Sequence, residues 1–381
     1  MTLASADALG YFESSLGDAL ALLRQLVELE SYTRDKRGVD ALAGFLAGEF
    51  RARGASAELL PMEDVGDIMV ARWNSRKPGA PVMVLGHMDT VWPPGTLRER
   101  PFSIREGRAY GPGAFDMKSG ILLCLLACQA FQGGQWRPAQ DVIFYFLSDE
   151  EMGVGVGLPL LEPSARQCRA VLCLEPPLPG GRAKTSRKGA GEFRVVVEGV
   201  PAHAGIDPEK GANAIVELSR LVLQLQALND HAAGATVNVG LIRGGSAANV
   251  VAGSAEAMVD FRFVTAAQGA ALAARILSFG VEDRRCSVRV EGGIRRPPLE
   301  RTAGVEALYQ KARTVAEHLG MPFGEGASGG SSDGSFTASL GIPTLDGLGV
   351  DGDGAHAAHE HVRIADIPPR AAFLCELLRS L

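Results

Sequence analysis

Val82-Met83-Val84-Leu85-Gly86-His87-Met88-Asp89-Thr90-Val91 is the stretch whose reading decides the fold. Its first four residues form a short continuous apolar run, the pattern of a strand buried on both faces. A histidine and an aspartate follow within a few residues. In an open α/β sheet, chemistry collects in the loops beyond the carboxyl ends of the strands. The arrangement recurs further along. Val142 to Leu147 lead into Ser-Asp-Glu150-Glu151, and Val171 to Leu174 lead into Glu175. Independent apolar strands that each deliver a metal-type side chain are unlikely to arise by chance.

Working outward, Ile68 to Trp73 reads as a further buried strand. Leu16, Leu20, Leu23 and Val27 repeat at helical spacing, as do Leu42, Phe45, Leu46 and Phe50. An apolar helix is expected from about Met117 to Phe131. Alternating strands and helices predict an α/β fold, a mixed but largely parallel sheet with flanking helices.

From Gly189 to Gly293 the rhythm changes. Strands are expected at Glu192 to Glu198, Thr236 to Ile242, Ala255 to Phe263 and Ser287 to Glu291. Ala214, Ile215, Leu218, Leu221, Val222, Leu225 and Leu228 mark an amphipathic helix, and Ala266 to Phe279 a second. The order β-α-β-β-α-β predicts a ferredoxin-like sandwich with a free sheet edge. After Pro297-Pro298 the earlier style resumes. A helix is expected near Val305 to Leu319, then a Gly/Ser-rich loop over Gly326 to Gly334 and a last helix from Pro368. The expected organisation is therefore a catalytic domain in two parts, 1–188 and 299–381, with an inserted lid domain at 189–298. A length of 381 residues is long for a single core and suits two domains.

A formal net charge of -6 and no basic block argue against nucleic acid or an anionic membrane as partner. No apolar run was expected to span a bilayer. The start Met-Thr-Leu-Ala-Ser-Ala-Asp lacks the pattern of a secretion signal. Cys124, Cys128, Cys168, Cys173, Cys286 and Cys375 form no Cys-x-x-Cys pair and read as buried small hydrophobes of a reducing compartment. The expected location is cytoplasmic.

The metal-type residues are His87, Asp116, Glu150, Glu151, Glu175 and His356. Such a set suits two cations sharing one carboxylate, with a spare carboxylate to take a proton from water. Asp89, two residues beyond His87, is placed to accept its other imidazole N–H. Glu150 and Glu151 are neighbours whose side chains diverge, so one ligand and one base is the economical division. Glycines 111, 113 and 120 allow close backbone approach.

These motifs resemble the M20 family of co-catalytic zinc peptidases, and within it the glutamate carboxypeptidase group (carboxypeptidase G2-like). The resemblance rests on His87-Met-Asp-Thr-Val, Gly-Ala-Phe-Asp116-Met-Lys, Ser-Asp-Glu150-Glu151, Leu-Glu175-Pro, Arg-Lys188-Gly, Ala-His203-Ala-Gly, Gly-Gly-Ser-Ser-Asp333 and Gly-Ala-His356. It implies two Zn2+ per subunit, with Co2+ or Mn2+ as substitutes. Asp116 would bridge them, His87 and Glu175 completing one ion and Glu151 and His356 the other. His356, Glu360, His361 and Val362 fit the family's last motif, and His359 is the alternative ligand. Glu150 would be the base and Asp89 the partner of His87. The resemblance also implies a homodimer through the lid, with His203 reaching the partner's site to stabilise an oxyanion. Lys188, Asn249 and Arg262 would contact the substrate, with a salt bridge inside the lid as the competing reading of Arg262.

The activity so implied is removal of a C-terminal amino acid, glutamate suggested, from a small peptide or N-acyl conjugate. An N-acyl amino acid or acetylornithine-type deacylase is the neighbouring reading. A non-catalytic metal-binding homologue would have lost the base or ligands, and all are present. A nucleotide-binding oxidoreductase would need more than Gly153-Val-Gly155-Val-Gly157, whose spacing is not Gly-x-Gly-x-x-Gly.

Overall fold

The apolar runs assemble into one six-stranded sheet in the order Ser56–Leu60, Ile68–Trp73, Val142–Leu147, Val82–His87, Ala170–Cys173, Thr344–Leu345. Val82–His87 lies at its heart, parallel to both neighbours, with His87 opposite Leu147 and Leu85 opposite Cys173. Ala170–Cys173 is also parallel to Thr344–Leu345. The edge formed by Ser56–Leu60 and Ile68–Trp73 is antiparallel. Three neighbouring strands thus deliver their carboxyl ends, and the loops of His87, Glu150-Glu151 and Glu175, to one side of the sheet.

This computed structural model describes residues 5–153 and 155–381. Met1–Ala4 and Val154 lie outside the described residues, and with them parts of the N-terminal stretch and of the Gly153–Gly157 run read above. Two units emerge. The larger runs to Ser186 and includes Arg301–Ser328 and Ser332–Leu381. The smaller is Arg187–Glu300 with Gly329–Ser331.

In the larger unit every residue of Val82–His87 and Val142–Leu147 is buried, as a strand covered on both faces requires. One face packs the helices Leu16–Glu28, Lys36–Ala52, Ser119–Gln132 and Ile367–Ser380 into a single core. Leu158–Ala165 helps cover the other. Ser119–Gln132 is buried on nearly all sides. With the π-turn Ala114–Lys118 before it, it makes a 19-residue apolar stretch, Ala114–Gln132, long enough by length and composition to cross a membrane. That corrects the expectation that no run is long enough. The stretch is 89% buried inside the fold, so its apolarity is accounted for by the core. All six cysteines are buried, and none forms a disulfide.

A small four-stranded sheet, Gly352–Asp353, His361–Arg363, Arg108–Tyr110, Ser103–Arg105, has no counterpart in the sequence reading. Strands of two or three residues are too short to show an alternation. The sheet joins the segment before Asp116 to the segments on both sides of His356.

The smaller unit is an antiparallel sheet in the order Thr236–Gly244, Ser254–Phe263, Gly189–Glu198, Ser287–Arg296. Ala255, Ala257, Val259, Phe261 and Phe263 alternate into its core. The helices Ala214–Gln226 and Ala266–Leu277 cover that face. Asn213 and Thr265 cap them, accepting N–H groups from Ile215, Val216 and Gln268. Thr236–Gly244 is an edge strand, and its second half leaves Leu241 and Ile242 more than half exposed.

Candidate metal centre

His87 closes its strand with the ring almost fully buried. Its Nε2 lies 3.2 Å from Asp116 Oδ1 and 3.4 Å from Glu175 Oε1. The second oxygen of Asp116, Oδ2, lies 3.5 Å from His356 Nε2, which is 3.0 Å from Glu151 Oε2. Asp116 therefore turns one oxygen to His87, which also meets Glu175, and the other to His356, which also meets Glu151. Donor atoms of His87, Asp116 and Glu151 all lie within 4.8 Å of one another. Glu151 Oε1 is buried and has no hydrogen-bond partner. A buried acceptor left open beside two imidazoles and three carboxylates is a donor set that fits divalent cations.

The backbone brings Asp116 here through an irregular turn. Gly113 has φ +72°, and Asp116 has extended-type dihedrals within the π-turn, with a cis peptide to Met117. His356 has φ +61°, a left-handed conformation uncommon for a side chain with a Cβ.

The electrostatics follow from the crowding of acids around two rings. Burial works against a charged His87, but Asp116, Asp89 and Glu175 outweigh it and hold its pKa well above the ordinary value. Asp116 and Glu151 push His356 up to about 10 against a smaller effect of burial. Burial would raise Asp116, yet hydrogen bonds from His356 and His87 keep it below the carboxylate range. Burial raises Glu151.

Asp89 divides its work differently from the expectation. The partner of His87 Nδ1 is the Asp89 main-chain carbonyl at 2.9 Å, while its Oδ1 lies 3.5 Å away. The carboxylate accepts the main-chain N–H groups of Glu150 and Glu151, at 3.2 and 3.0 Å. It thus orients the ring through its backbone and the acidic pair through its side chain. Glu150 is half-buried beside the cluster. His359 stands apart from it, 3.7 Å from Asp353 and largely exposed, so of the two histidines His356 is the one beside Asp116. Asp149 Oδ2 accepts the N–H groups of Val156 and Gly157 at the end of the glycine run.

The remaining candidates belong to the smaller unit. The His203 and Asn249 loops run side by side, with a bridge between His203 and Val250 and the Ala204 N–H donating to the Asn249 carbonyl at 2.9 Å. His203 Nδ1 accepts N–H groups from Gly205 and Ile206, both at 3.1 Å. Its ring proton therefore sits on Nε2, which is left as an exposed donor. Arg262 forms a forked salt bridge to Asp260 with hydrogen bonds of 2.8 to 3.1 Å, the competing reading of that residue. Lys188 precedes the strand Gly189–Glu198, half-buried, its Nζ beside Gly234.

Two residues were missed as participants. Glu360 is buried, and its carboxylate accepts the Trp92 indole N–H at 2.6 Å. Glu360 had entered only as part of a motif, and Trp92 not at all. Beside them Arg100, Arg105, Tyr110 and His359 line a cavity of about 580 Å³.

With this geometry in place, the comparison with known proteins is direct. Residues 83–380 match peptidase family M20/M25/M40. The chain belongs to that family. Carboxypeptidase G2 of Pseudomonas sp. (strain RS-16) is 30% identical over 371 residues, covering 94% of this chain and 88% of the relative. Succinyl-diaminopimelate desuccinylase of Thioalkalivibrio sulfidiphilus (strain HL-EbGR7) is 28% identical over 388 residues, covering 96% and 99%. Among solved structures, aminopeptidase PepT from Bacillus cereus ATCC 10987 has a TM-score of 0.83 at 21% identity, covering 96% of this chain and 98% of that one. This M20 protein has the expected α/β fold and is a metal-dependent hydrolase of the peptidase or deacylase kind.

Proposed function

We propose that this M20 hydrolase is a carboxypeptidase that releases a C-terminal amino acid, glutamate among the candidates, from a small peptide or N-acyl conjugate. The observation that carries the reading is the division of Asp116, one oxygen against His87, which also meets Glu175, and the other against His356, which also meets Glu151. On this reading His87, Asp116 and Glu175 would hold one Zn2+ and Asp116, Glu151 and His356 a second, with Asp116 common to both sets. Co2+ or Mn2+ could substitute. When bound, the ions polarise the scissile carbonyl and make water a better nucleophile at neutral pH.

The protein's own groups do the rest. The Glu150 carboxylate takes a proton from the attacking water and returns it to the departing nitrogen. Asp89 holds the main chain of Glu150 and Glu151 in place. His203 donates from Nε2 to the oxyanion of the partner subunit's substrate. Lys188, Asn249 and Arg262 bind the substrate's carboxylate, Arg262 exchanging Asp260 for it. The protein is a homodimer through its smaller unit, and six cysteines with no disulfide among them suit a cytoplasmic location.

A second reading, an N-acyl amino acid deacylase, is favoured by the full-length similarity to a desuccinylase. A hydrolysis screen with added Zn2+ separates the two. N-blocked dipeptides differing only in the C-terminal residue are set against N-acetyl and N-succinyl amino acids. Faster turnover of the acyl compounds would overturn the first reading. Glu150→Gln is expected to keep its ions and lose about 10²- to 10⁴-fold in kcat. Near-normal turnover with ions bound would remove Glu150 from the mechanism.

A further inference from the structure

Glu360 has no part in the proposed chemistry, yet four N–H donors converge on its buried carboxylate. Oε1 accepts the main-chain N–H groups of Phe115 and Asp116, each at 3.0 Å. Oε2 accepts the Gly113 N–H at 2.9 Å and the Trp92 indole at 2.6 Å. The Glu360 carbonyl also accepts the Gly111 N–H at 3.3 Å. The acceptor therefore belongs to the loop of His356, and its main-chain donors belong to the loop of Asp116. Trp92 comes from the loop after the His87 strand.

We infer that Glu360 is a positioning residue that locks the Asp116 and His356 loops into one register, with Trp92 as its anchor. The inference rests on the reading of Asp116 and His356 as ligands. Only an ionised carboxylate offers two acceptor oxygens, each able to take two donors, without presenting a hydrogen to any of them. A carboxamide could serve one pair and would turn its NH2 toward the other. The consequence for His356 follows from the turn between them. The Glu360 N–H donates to the Ala357 carbonyl at 3.0 Å and the Ala357 N–H to the Gly354 carbonyl at 2.8 Å, with His356 left-handed between. A shift of Glu360 is therefore passed to His356 on one side and to Asp116 on the other. The Arg100 guanidinium stacks over the Trp92 ring, 3.8 Å from its centroid, and helps hold the indole in place.

The same chain supplies a matched control. Trp136 Nε1 donates to Glu376 at 2.7 Å, a similar pair outside the metal cluster. The experiment titrates metal-free wild type, Glu360→Gln and Glu376→Gln with Co2+, following heat and the visible absorption of the ion. Circular dichroism and thermal melting report whether each variant folds. Glu360→Gln is expected to bind Co2+ about 10- to 100-fold more weakly, with an altered spectrum. Glu376→Gln is expected to melt earlier and bind Co2+ as wild type does. A folded Glu360→Gln with wild-type affinity and spectrum overturns the inference. So does a Glu376→Gln weakened as much as Glu360→Gln, since the effect would then be general destabilisation. Should Glu360→Gln fail to fold, Trp92→Phe decides. It removes one donor, leaves the three main-chain ones, and is expected to weaken Co2+ binding to a lesser degree. Unchanged affinity in that variant overturns the inference. A wild-type chain that binds no Co2+ fails the reading of the metal centre itself, and this inference with it.

Discussion

At the scale of single residues, His356 concentrates the electrostatics of the site. Its ring lies between Asp116 and Glu151, and the pair push its pKa to about 10. A base whose pKa is raised on folding stabilises the metal-free fold while it is protonated. That contribution is complete below the ring's ordinary value of 6.5 and lost as pH rises through about 10. Metal binding works in the opposite sense, because only a neutral imidazole can ligate a cation. His356 carries a proton at pH 7 in the metal-free chain, and His87 is shifted in the same direction by its acidic neighbours. Zn2+ binding at pH 7 is therefore expected to release protons, that of His356 among them. Its apparent affinity should rise with pH toward the His356 value. Calorimetric titration in two buffers of different ionisation heat measures the release directly. Binding heats independent of the buffer would contradict this account of the cluster. Asp89 shows where residue-level reading of the sequence falls short. Its position two residues after His87 marks it as a partner. Whether its carbonyl or its carboxylate meets the ring depends on backbone direction, which a spacing does not encode.

At the scale of elements, the decisive contact is between the first turn of Ser119–Gln132 and the end of the strand Ala170–Cys173. A Cβ on Gly120 would sit 2.4 Å from the Leu174 carbonyl oxygen and 2.8 Å from Met117 Cε. Leu174 directly precedes Glu175, and Met117 directly follows Asp116. Gly120→Ala should therefore push on two candidate ligands at once. Overpacking of this kind costs about 1–3 kcal/mol. The variant is expected to melt earlier than wild type and to retain Zn2+ less well on dialysis. A variant with unchanged melting and Zn2+ content would show that helix and strand have room to separate. The long elements were legible because burial on both faces writes a continuous apolar run, as in Val142–Leu147, and burial on one face writes a period, as in Ala255 to Phe263. The four-stranded sheet of very short strands left no such trace. Glu360 was legible as a member of the family's last motif, but its contacts were not, since its main-chain donors lie at least 244 residues away in sequence. A motif marks the glutamate without saying which distant main chain it holds. The five residues proposed as ligands were legible for the opposite reason: each follows a strand or stands in a distinctive motif of its own.

At the scale of the whole molecule, the smaller unit leaves apolar surface uncovered. Leu223 on the helix Ala214–Gln226 is 72% exposed, and Leu241 and Ile242 stand on the edge strand at 58% and 56%. An open edge bearing apolar side chains invites pairing with a second copy. If the dimer shares its sites as proposed, His203 of one chain serves the substrate held by the other. That arrangement has a consequence that separate sites would not have. Chains carrying His203→Ala and chains carrying Glu150→Gln are each expected to be nearly inactive alone. In a mixed dimer, one site keeps its own Glu150 and receives an intact partner His203, whereas the other has neither. Random exchange of equal amounts makes half the dimers mixed, with one working site in each, so about a quarter of wild-type sites should return. Turnover after mixing and exchange measures this directly. A mixture no more active than its separate components would place His203 outside the partner's chemistry. Adding Ile242→Asp to both chains tests the surface independently. A charge on the open edge opposes pairing, so sedimentation should then show monomers and mixing should restore nothing. Recovery that survives the substitution would leave sharing intact and move the interface away from this edge.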